Sequence, residues 1–204
     1  SFLFIHPFEN LKKSIPSLPE GIQQEAEAVL ERKNEVSECF KRVFDHKLDT
    51  VKIRTHGDYH LEQLLWTGKD YIIINFEGEP TRPFSERRIL RSGLRDVASM
   101  IRSLHYAAYT PFMQINYADE YRESDLEHWA ELWFYYMTRF YLKGYCDTLG
   151  DSNLIPSDTD DFKVLLETFI LEKAVTELNY ELNNRPHWSL VPLRGIQSIL
   201  DSCK

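Results

Sequence analysis

The sequence predicts a mainly α-helical α+β domain that carries one small β element. Four stretches of the 204-residue chain repeat apolar residues at the spacing of an amphipathic helix. The only β-like segments are two short β-branched runs, which are too little for a large sheet. Hydrophobic residues make up 43% of the chain and charged residues 27%, an ordinary globular composition, so we expect one domain with its own core.

The first two helices are predicted from their apolar faces. Residues 17–20 form a capping-box pattern, and the apolar positions after it predict a long amphipathic helix over residues 20–46. A second helix follows Arg82. Its apolar positions share one face: Leu94, Val97, Ala98, Ile101, Leu104 and Ala108.

Two further helices are predicted from their start signals. Residues 124–127 form a second capping box. The helix that it opens has an apolar side made of Leu126, Trp129, Ala130, Trp133, Met137, Phe140 and Tyr141. Ser157 with Asp160 opens the last helix, and Pro186 stops it.

The β element is predicted from residues 51–54 and 71–74, with turn chemistry at residues 68–70. These two runs predict a small hairpin-like platform whose loops carry the polar residues. The chain then divides into a helical lead-in (1–50), a segment of strands and functional loops (51–80) and a helical subdomain (81–204).

Charge and cysteine usage exclude several classes of protein. The formal net charge of −8 argues against nucleic acid or an anionic membrane as the main partner. No apolar run approaches the roughly 18 residues that a membrane span needs, and residues 1–8 lack the features of a signal peptide. Cys39, Cys146 and Cys203 are scattered, without metal-like spacing, so we expect packing or surface thiols in a cytoplasmic protein.

The segment 56–63 (His-Gly-Asp-Tyr-His-Leu-Glu-Gln) carries the strongest chemical signal. Asp58 follows a predicted strand end, and Gln63 supplies an amide oxygen on the same loop. Phosphoryl transfer to a hydroxyl needs a carboxylate that orients the hydroxyl and a neutral oxygen that holds Mg²⁺. Asn75, at the end of the second strand, is the next candidate metal ligand.

The two histidines of this segment allow more than one interpretation. An HxxxH metal pair needs a helix to bring both rings to one face, and Gly57 argues against a helix here. We therefore expect His56 to be structural. For His60 a structural role and a substrate-facing role stay open.

Five blocks of the chain resemble maltokinases, including those fused to trehalose synthase, within the aminoglycoside-phosphotransferase-like kinases. Residues 56–65 match H-G-D-x-H-L-x-Q-x-L, residues 74–88 match I-D-F-E-G-E-P-x-R-P-x-x-E-R-R, and residues 94–103 match L-R-D-V-A-x-M-x-R-S. Residues 172–175 and 180–188 resemble the C-terminal signatures of that family.

The resemblance implies a role for each matching position. Asp58 would be the catalytic base and Gln63 a Mg²⁺ ligand. Asn75 stands where the family has its main Mg²⁺-binding Asp, and Asn brings no charge, so metal affinity should fall. Glu77 is expected to compensate. Asp96 resembles a buried Asp that braces the catalytic loop through its backbone.

The same resemblance implies the substrate contacts. The expected substrate-binding residues are His60, Glu77, Trp133 and Tyr145, the last two as aromatic faces for sugar stacking. A Trp–Tyr stripe at helical spacing is also typical of a core. Arginines near the loop could meet phosphate or sugar oxygens, but we expect most to pair with Glu77, Glu79 and Glu86; they are Arg82, Arg87, Arg88, Arg91 and Arg95.

The resemblance implies a protein-kinase-like C-terminal lobe that uses ATP and Mg²⁺ to convert maltose to maltose 1-phosphate. The sequence contains neither GxGxxG nor GxxxxGK, so the N-terminal lobe that clamps ATP is expected to be missing and the chain alone to be inactive. The alternative is a catalytically silent sugar-binding or docking module associated with trehalose synthase.

Overall fold

The computed structural model describes residues 2–80, 82–114, 123–150 and 152–203. Within these ranges the protein is mainly α-helical with one two-stranded antiparallel sheet, as the sequence predicts. The helices are α1 (Phe2–Ser14), α2 (Glu20–Glu31), α3 (Lys33–Lys41), α4 (Phe84–Arg87), α5 (Leu94–Gln114), α6 (Glu123–Leu149), α7 (Thr159–Asn184) and α8 (Leu190–Ser202). The strands are β1 (Leu64–Trp66) and β2 (Tyr71–Ile73).

The long helix α7 is the centre of the packing, because apolar residues lie on several of its faces. One face packs with α1, α2, α3 and α8 in a core that includes Leu11, Val29, Leu178 and Ile196. Its first half packs against α5 and α6 in a second core. The predicted apolar face of α5 is buried throughout, which confirms the helical period in that segment.

The predicted helix over residues 20–46 begins where α2 begins, at Glu20, but it is wrong in its continuity and in its capping box. It breaks between α2 and α3 at Arg32 and ends in a 3₁₀ turn, Arg42–Asp45. The capping box of residues 17–20 does not form: Pro19 is the N-cap, and Ser17 Oγ donates to Ser14 O at 2.7 Å. The N-cap of α7 is Asp158, which accepts from the backbone N–H groups of Asp160 and Asp161, rather than Ser157.

The predicted pairing of residues 51–54 with 71–74 is also wrong. Residues 51–54 form no strand, although Ile53 makes an isolated antiparallel bridge with Arg91. The partner of β2 is β1, in the register Leu64↔Ile73, Leu65↔Ile72 and Trp66↔Tyr71. The segment 56–63 leads directly into β1, and β1 pairs with β2. The hairpin therefore places the end of this segment beside the residues that follow β2.

Helix α6 departs from the predicted apolar side. Ala130 and Tyr141 face the interior, but Trp129 is 65% exposed and Phe140 is 69% exposed. The partly buried residues of α6 include Phe134, Leu142 and Tyr145, which pack toward α5. The helix is therefore apolar on two faces. The predicted apolar side includes residues of the outer face, which is exposed.

The cysteine prediction is wrong for two of the three residues. Cys39 on α3 and Cys203 after α8 form a disulfide, while Cys146 is free. Their separation of 164 residues in the chain hid the pairing, because distant cysteines meet only after α3 and α8 have packed together. Within the described ranges, no helix has the length and apolar character needed to cross a membrane.

Candidate active site

The 56–63 loop is held by the first turn of α5. Asp96 accepts the backbone N–H of His56 at 2.6 Å through Oδ2 and the backbone N–H of Gly57 at 2.9 Å through Oδ1. Gly57 has φ +83°, a backbone conformation that favours glycine. Burial raises the pKa of Asp96, an effect that the two backbone hydrogen bonds oppose. The carboxylate thus fixes the backbone immediately before Asp58.

His56 ties this loop to the end of the hairpin. It is buried, and its Nε2 lies 2.7 Å from Ile74 O, so Nε2–H donates to that carbonyl. Its Nδ1 accepts the backbone N–H of Asp58 at 3.3 Å. Both bonds together require the neutral Nε2–H form, and the ring packs against Tyr59 and Phe76. His56 therefore has a structural role.

Asp58 is half-buried and lies among cationic and imidazole groups. His60 Nε2 is 3.8 Å from Asp58 Oδ2, longer than a good hydrogen bond. The His60 imidazole lowers the pKa of Asp58 below its ordinary value, with a smaller contribution from Lys173 on α7, while burial opposes them. Asp58 is therefore ionised at neutral pH and can accept a hydrogen bond from a hydroxyl group.

Gln63 and Asn75 lie next to each other, as the resemblance led us to expect. Asn75 Nδ2–H donates to Gln63 Oε1 at 2.8 Å, and Gln63 Nε2 lies 3.0 Å from His60 Nε2. Asn75 has φ +60° and is the one non-glycine residue in the described ranges with positive φ. Ile74 N–H also donates to Gln63 O at 3.0 Å, so backbone and side chains join the two loops.

This donor set does not fit a Mg²⁺ ion as it stands. Mg²⁺ prefers carboxylate and other oxygen ligands in octahedral geometry, and both side chains here are neutral amides joined to each other by one hydrogen bond. Among the residues that the structure describes, no group of three or more Asp, Glu, His or Cys side chains could hold a metal. The Mg²⁺-ligand roles of Gln63 and Asn75 stay predictions.

The other predicted substrate residues are less clearly placed. Glu77 is exposed beyond the hairpin. Trp133 lies on the outer face of α6 and is 42% exposed. Tyr145 packs with the core beside Leu94, and burial, with a smaller effect of Asp96, raises its pKa. Sugar contact by these residues stays a prediction.

The arginine prediction is confirmed only for Arg82, which pairs with Glu79 at 2.9 Å. Arg95 pairs with Glu172 on α7 instead. Arg87 donates to the carbonyls of Arg82 and Pro80, and Arg88 stacks on the Phe84 ring. Arg82, Arg87, Arg91 and Arg95 nevertheless line one small cavity together with Lys173.

Lys173 lies within the C-terminal signature at residues 172–175, but the sequence indicates no role for it. Lys173 lines a small cavity of about 60 Å³ together with Gly57, Gly78 and Asp96. It is far from Asp58 in the chain and reaches the loop because α7 packs on α5. The motif match at residues 172–175 was the one feature of the sequence that drew attention to Lys173, and it did not predict which loop this side chain faces.

No protein-family model matches the chain. The chain is 25% identical over 193 residues to a glucosamine kinase of Streptacidiphilus jiangxiensis, an overlap of 94% of this chain and 41% of that protein. It is 26% identical over 156 residues to a glucosamine kinase of Mycolicibacterium smegmatis (strain ATCC 700084 / mc(2)155), covering 72% of this chain and 34% of that protein. The chain therefore spans less than half the length of these curated relatives.

Solved structures of glucosamine kinase share the fold. Crystal form B superposes with a TM-score of 0.71 at 23% identity, covering 97% of this chain and 46% of that one. A complex with glucosamine, ADP and inorganic phosphate gives a TM-score of 0.71 at 22% identity, with 97% and 46% coverage. At this identity the likeness concerns the fold.

These comparisons correct the family and substrate expected from the motifs. The relatives are glucosamine kinases, so the assignment to maltokinases of the aminoglycoside-phosphotransferase-like group is wrong. Maltose, maltose 1-phosphate and trehalose synthase are likewise wrong as substrate, product and partner, and the silent docking module has no better support. The motif blocks and the relatives agree on kinases as the class of protein and differ in the sugar.

Proposed function

We propose that this chain is the catalytic-loop half of an ATP-dependent sugar kinase that phosphorylates glucosamine. The observation that supports this most is the loop itself: an ionised Asp58 follows a backbone segment fixed by Asp96 and His56. The relatives are named as glucosamine kinases, and one solved relative is described with glucosamine, ADP and inorganic phosphate.

In the proposed reaction Asp58 accepts a hydrogen bond from a sugar hydroxyl and then its proton. The hydroxyl oxygen forms a bond to the γ-phosphorus of ATP while the bond from that phosphorus to ADP breaks. Because the transition state of phosphoryl transfer is loose, positioning matters more than base strength. A carboxylate with a lowered pKa suits such a role, since it is already ionised and firmly placed.

We further propose that the chain forms a C-terminal lobe and that an N-terminal lobe clamps the nucleotide. The hairpin exposes large apolar side chains, with Trp66 59% exposed and Tyr71 62% exposed, and such a surface favours a covering partner. The greater length of the glucosamine kinases leaves room for that lobe. We expect the 204-residue chain alone to have little kinase activity.

The test uses the longest natural polypeptide that contains this chain. Phosphorus NMR of that protein with ATP, MgCl₂ and glucosamine should show a sugar-phosphate signal. Asp58→Asn should lower the rate about 100-fold or more, because the hydroxyl loses its proton acceptor and orienting group.

The matched control is Asp147→Asn, an exposed carboxylate on α6 that pairs with Lys143, and its rate should stay unchanged. A wild-type rate in Asp58→Asn would refute the assigned role of Asp58. If the wild-type protein gives no sugar phosphate with glucosamine, the proposed substrate is wrong.

A further inference from the structure

Gln63 and Asn75, the two candidate metal ligands of the loop, share a hydrogen bond, and Asn75 is exposed. The distance from Asn75 Nδ2 to Gln63 Oε1 is 2.8 Å, a good N–H···O bond. Gln63 is buried, and its amide nitrogen bonds to His60. The chain of contacts therefore runs from Asn75 through Gln63 and His60 toward Asp58.

Gln63 Oε1 accepts a hydrogen bond whichever way the two amide groups are oriented. If both amides are reversed, Gln63 Nε2–H donates to Asn75, and Gln63 Oε1 accepts from His60 Nε2–H. In either arrangement Gln63 Oε1 accepts a hydrogen bond from within the site. One of the two lone pairs of that oxygen is therefore already engaged, and neither amide brings a charge that would attract a cation.

A bound Mg²⁺ brings adjacent oxygen ligands to about 2.9 Å from each other, since each Mg–O distance is 2.0–2.1 Å in an octahedron. The Asn75–Gln63 hydrogen bond spans nearly the same separation. The amide N–H thus joins positions 63 and 75 at the spacing that a shared cation would impose, without adding charge.

We propose that in this chain the Asn75–Gln63 hydrogen bond takes the place of a divalent cation and organises the Asp58 loop without metal. Asn75 is then a positioning residue that acts through Gln63 and His60. Its φ of +60° suits this assignment, because Asn adopts the left-handed region more readily than most residues. This inference concerns the loop alone and holds whatever sugar the protein uses.

The experiment measures metal binding by the 204-residue chain with Mn²⁺ or Mg²⁺ alone. In the wild-type protein, the side-chain NH₂ signals of Asn75 and Gln63 should be neither broadened by Mn²⁺ at low micromolar concentration nor shifted by Mg²⁺. Asn75→Asp should bind Mn²⁺ at least about tenfold more tightly, because a carboxylate adds charge and removes the competing donor. Asn34→Asp adds the same charge on exposed α3 and should leave Mn²⁺ affinity unchanged.

A second variant tests the organising role. Asn75→Ala should lower Tm by about 2–4 °C through loss of the hydrogen bond and through the strain of Ala at φ +60°, and Mg²⁺ should not restore it. Mn²⁺ broadening of the wild-type Asn75 and Gln63 signals at micromolar concentration would overturn the proposal. Equal Mn²⁺ affinity in the wild type and Asn75→Asp would also overturn it. The wild-type NMR result decides the question even if Asn75→Asp does not fold.

Discussion

At the scale of single residues, Asp96 determines the conformation of the loop. Each of its two oxygens accepts one backbone N–H, from His56 and from Gly57. An amide at this position keeps one acceptor and presents an NH₂ group to the second N–H. A substitution of nearly equal size therefore tests the hydrogen bonds rather than the packing.

Asp96→Asn should lower the free energy of unfolding by about 1–3 kcal/mol, because one partly buried N–H loses its acceptor. It should also lower the phosphotransfer rate of the longer polypeptide, since Asp58 follows the released backbone. Urea denaturation and phosphorus NMR measure the two effects. Asp160→Asn, an exposed carboxylate in the first turn of α7, is the control; equal effects of the two substitutions would contradict the bracing role of Asp96.

Residue types and spacing drew attention to Asp58 and Gln63, whose roles stay predictions, and the motif resemblance drew attention to Asp96, which does accept two backbone N–H groups of the loop. It could not reveal the bond between Asn75 and Gln63, which depends on a left-handed backbone at position 75 and on the β1–β2 register. Nor could it place Lys173 near Asp58, because that approach depends on the packing of α7 against α5.

At the scale of elements, helical periodicity worked where one face is buried. It predicted the inner face of α5 residue by residue. It failed for α6, where exposed aromatic residues repeat at the same spacing as a core, and for residues 51–54, where β-branched composition found no strand partner beyond one bridge. Periodicity identifies an apolar face but not what covers it.

The packing of α8 against α5 makes a sharper prediction. A Cβ at Gly195 would overlap Arg102 Nη1. Arg102 is 2% exposed and donates to Glu177 at 2.8 Å and to His105 at 3.0 Å. Gly195→Ala should therefore lower the free energy of unfolding by about 2–4 kcal/mol through overpacking and a displaced buried charge.

The control for Gly195→Ala is Gly144→Ala on α6, where an added Cβ meets nothing within 4 Å. Since Ala is the better helix former, this change should raise the free energy of unfolding by about 0.5–1 kcal/mol. Urea denaturation of both variants provides the comparison. Loss of stability in Gly144→Ala equal to that in Gly195→Ala would show that close contact with Arg102 is not the cause.

At the scale of the whole molecule, the motifs predicted the class of protein correctly but not its sugar. The motif blocks predicted a phosphotransferase loop, and the comparisons with kinases support that class. The expected sugar was wrong, since the relatives are glucosamine kinases.

The Cys39–Cys203 disulfide links α3 to the residue that follows α8, across a separation of 164 residues. Such a cross-link restricts the unfolded chain, so its loss should lower the free energy of unfolding by about 2–5 kcal/mol. Urea denaturation of the wild-type protein with and without dithiothreitol measures this loss. Cys203→Ser should match the reduced wild type and be insensitive to dithiothreitol, whereas Cys146→Ser should behave like the oxidised wild type. Equal stability of the oxidised and reduced proteins would mean that helix packing alone joins α3 to α8.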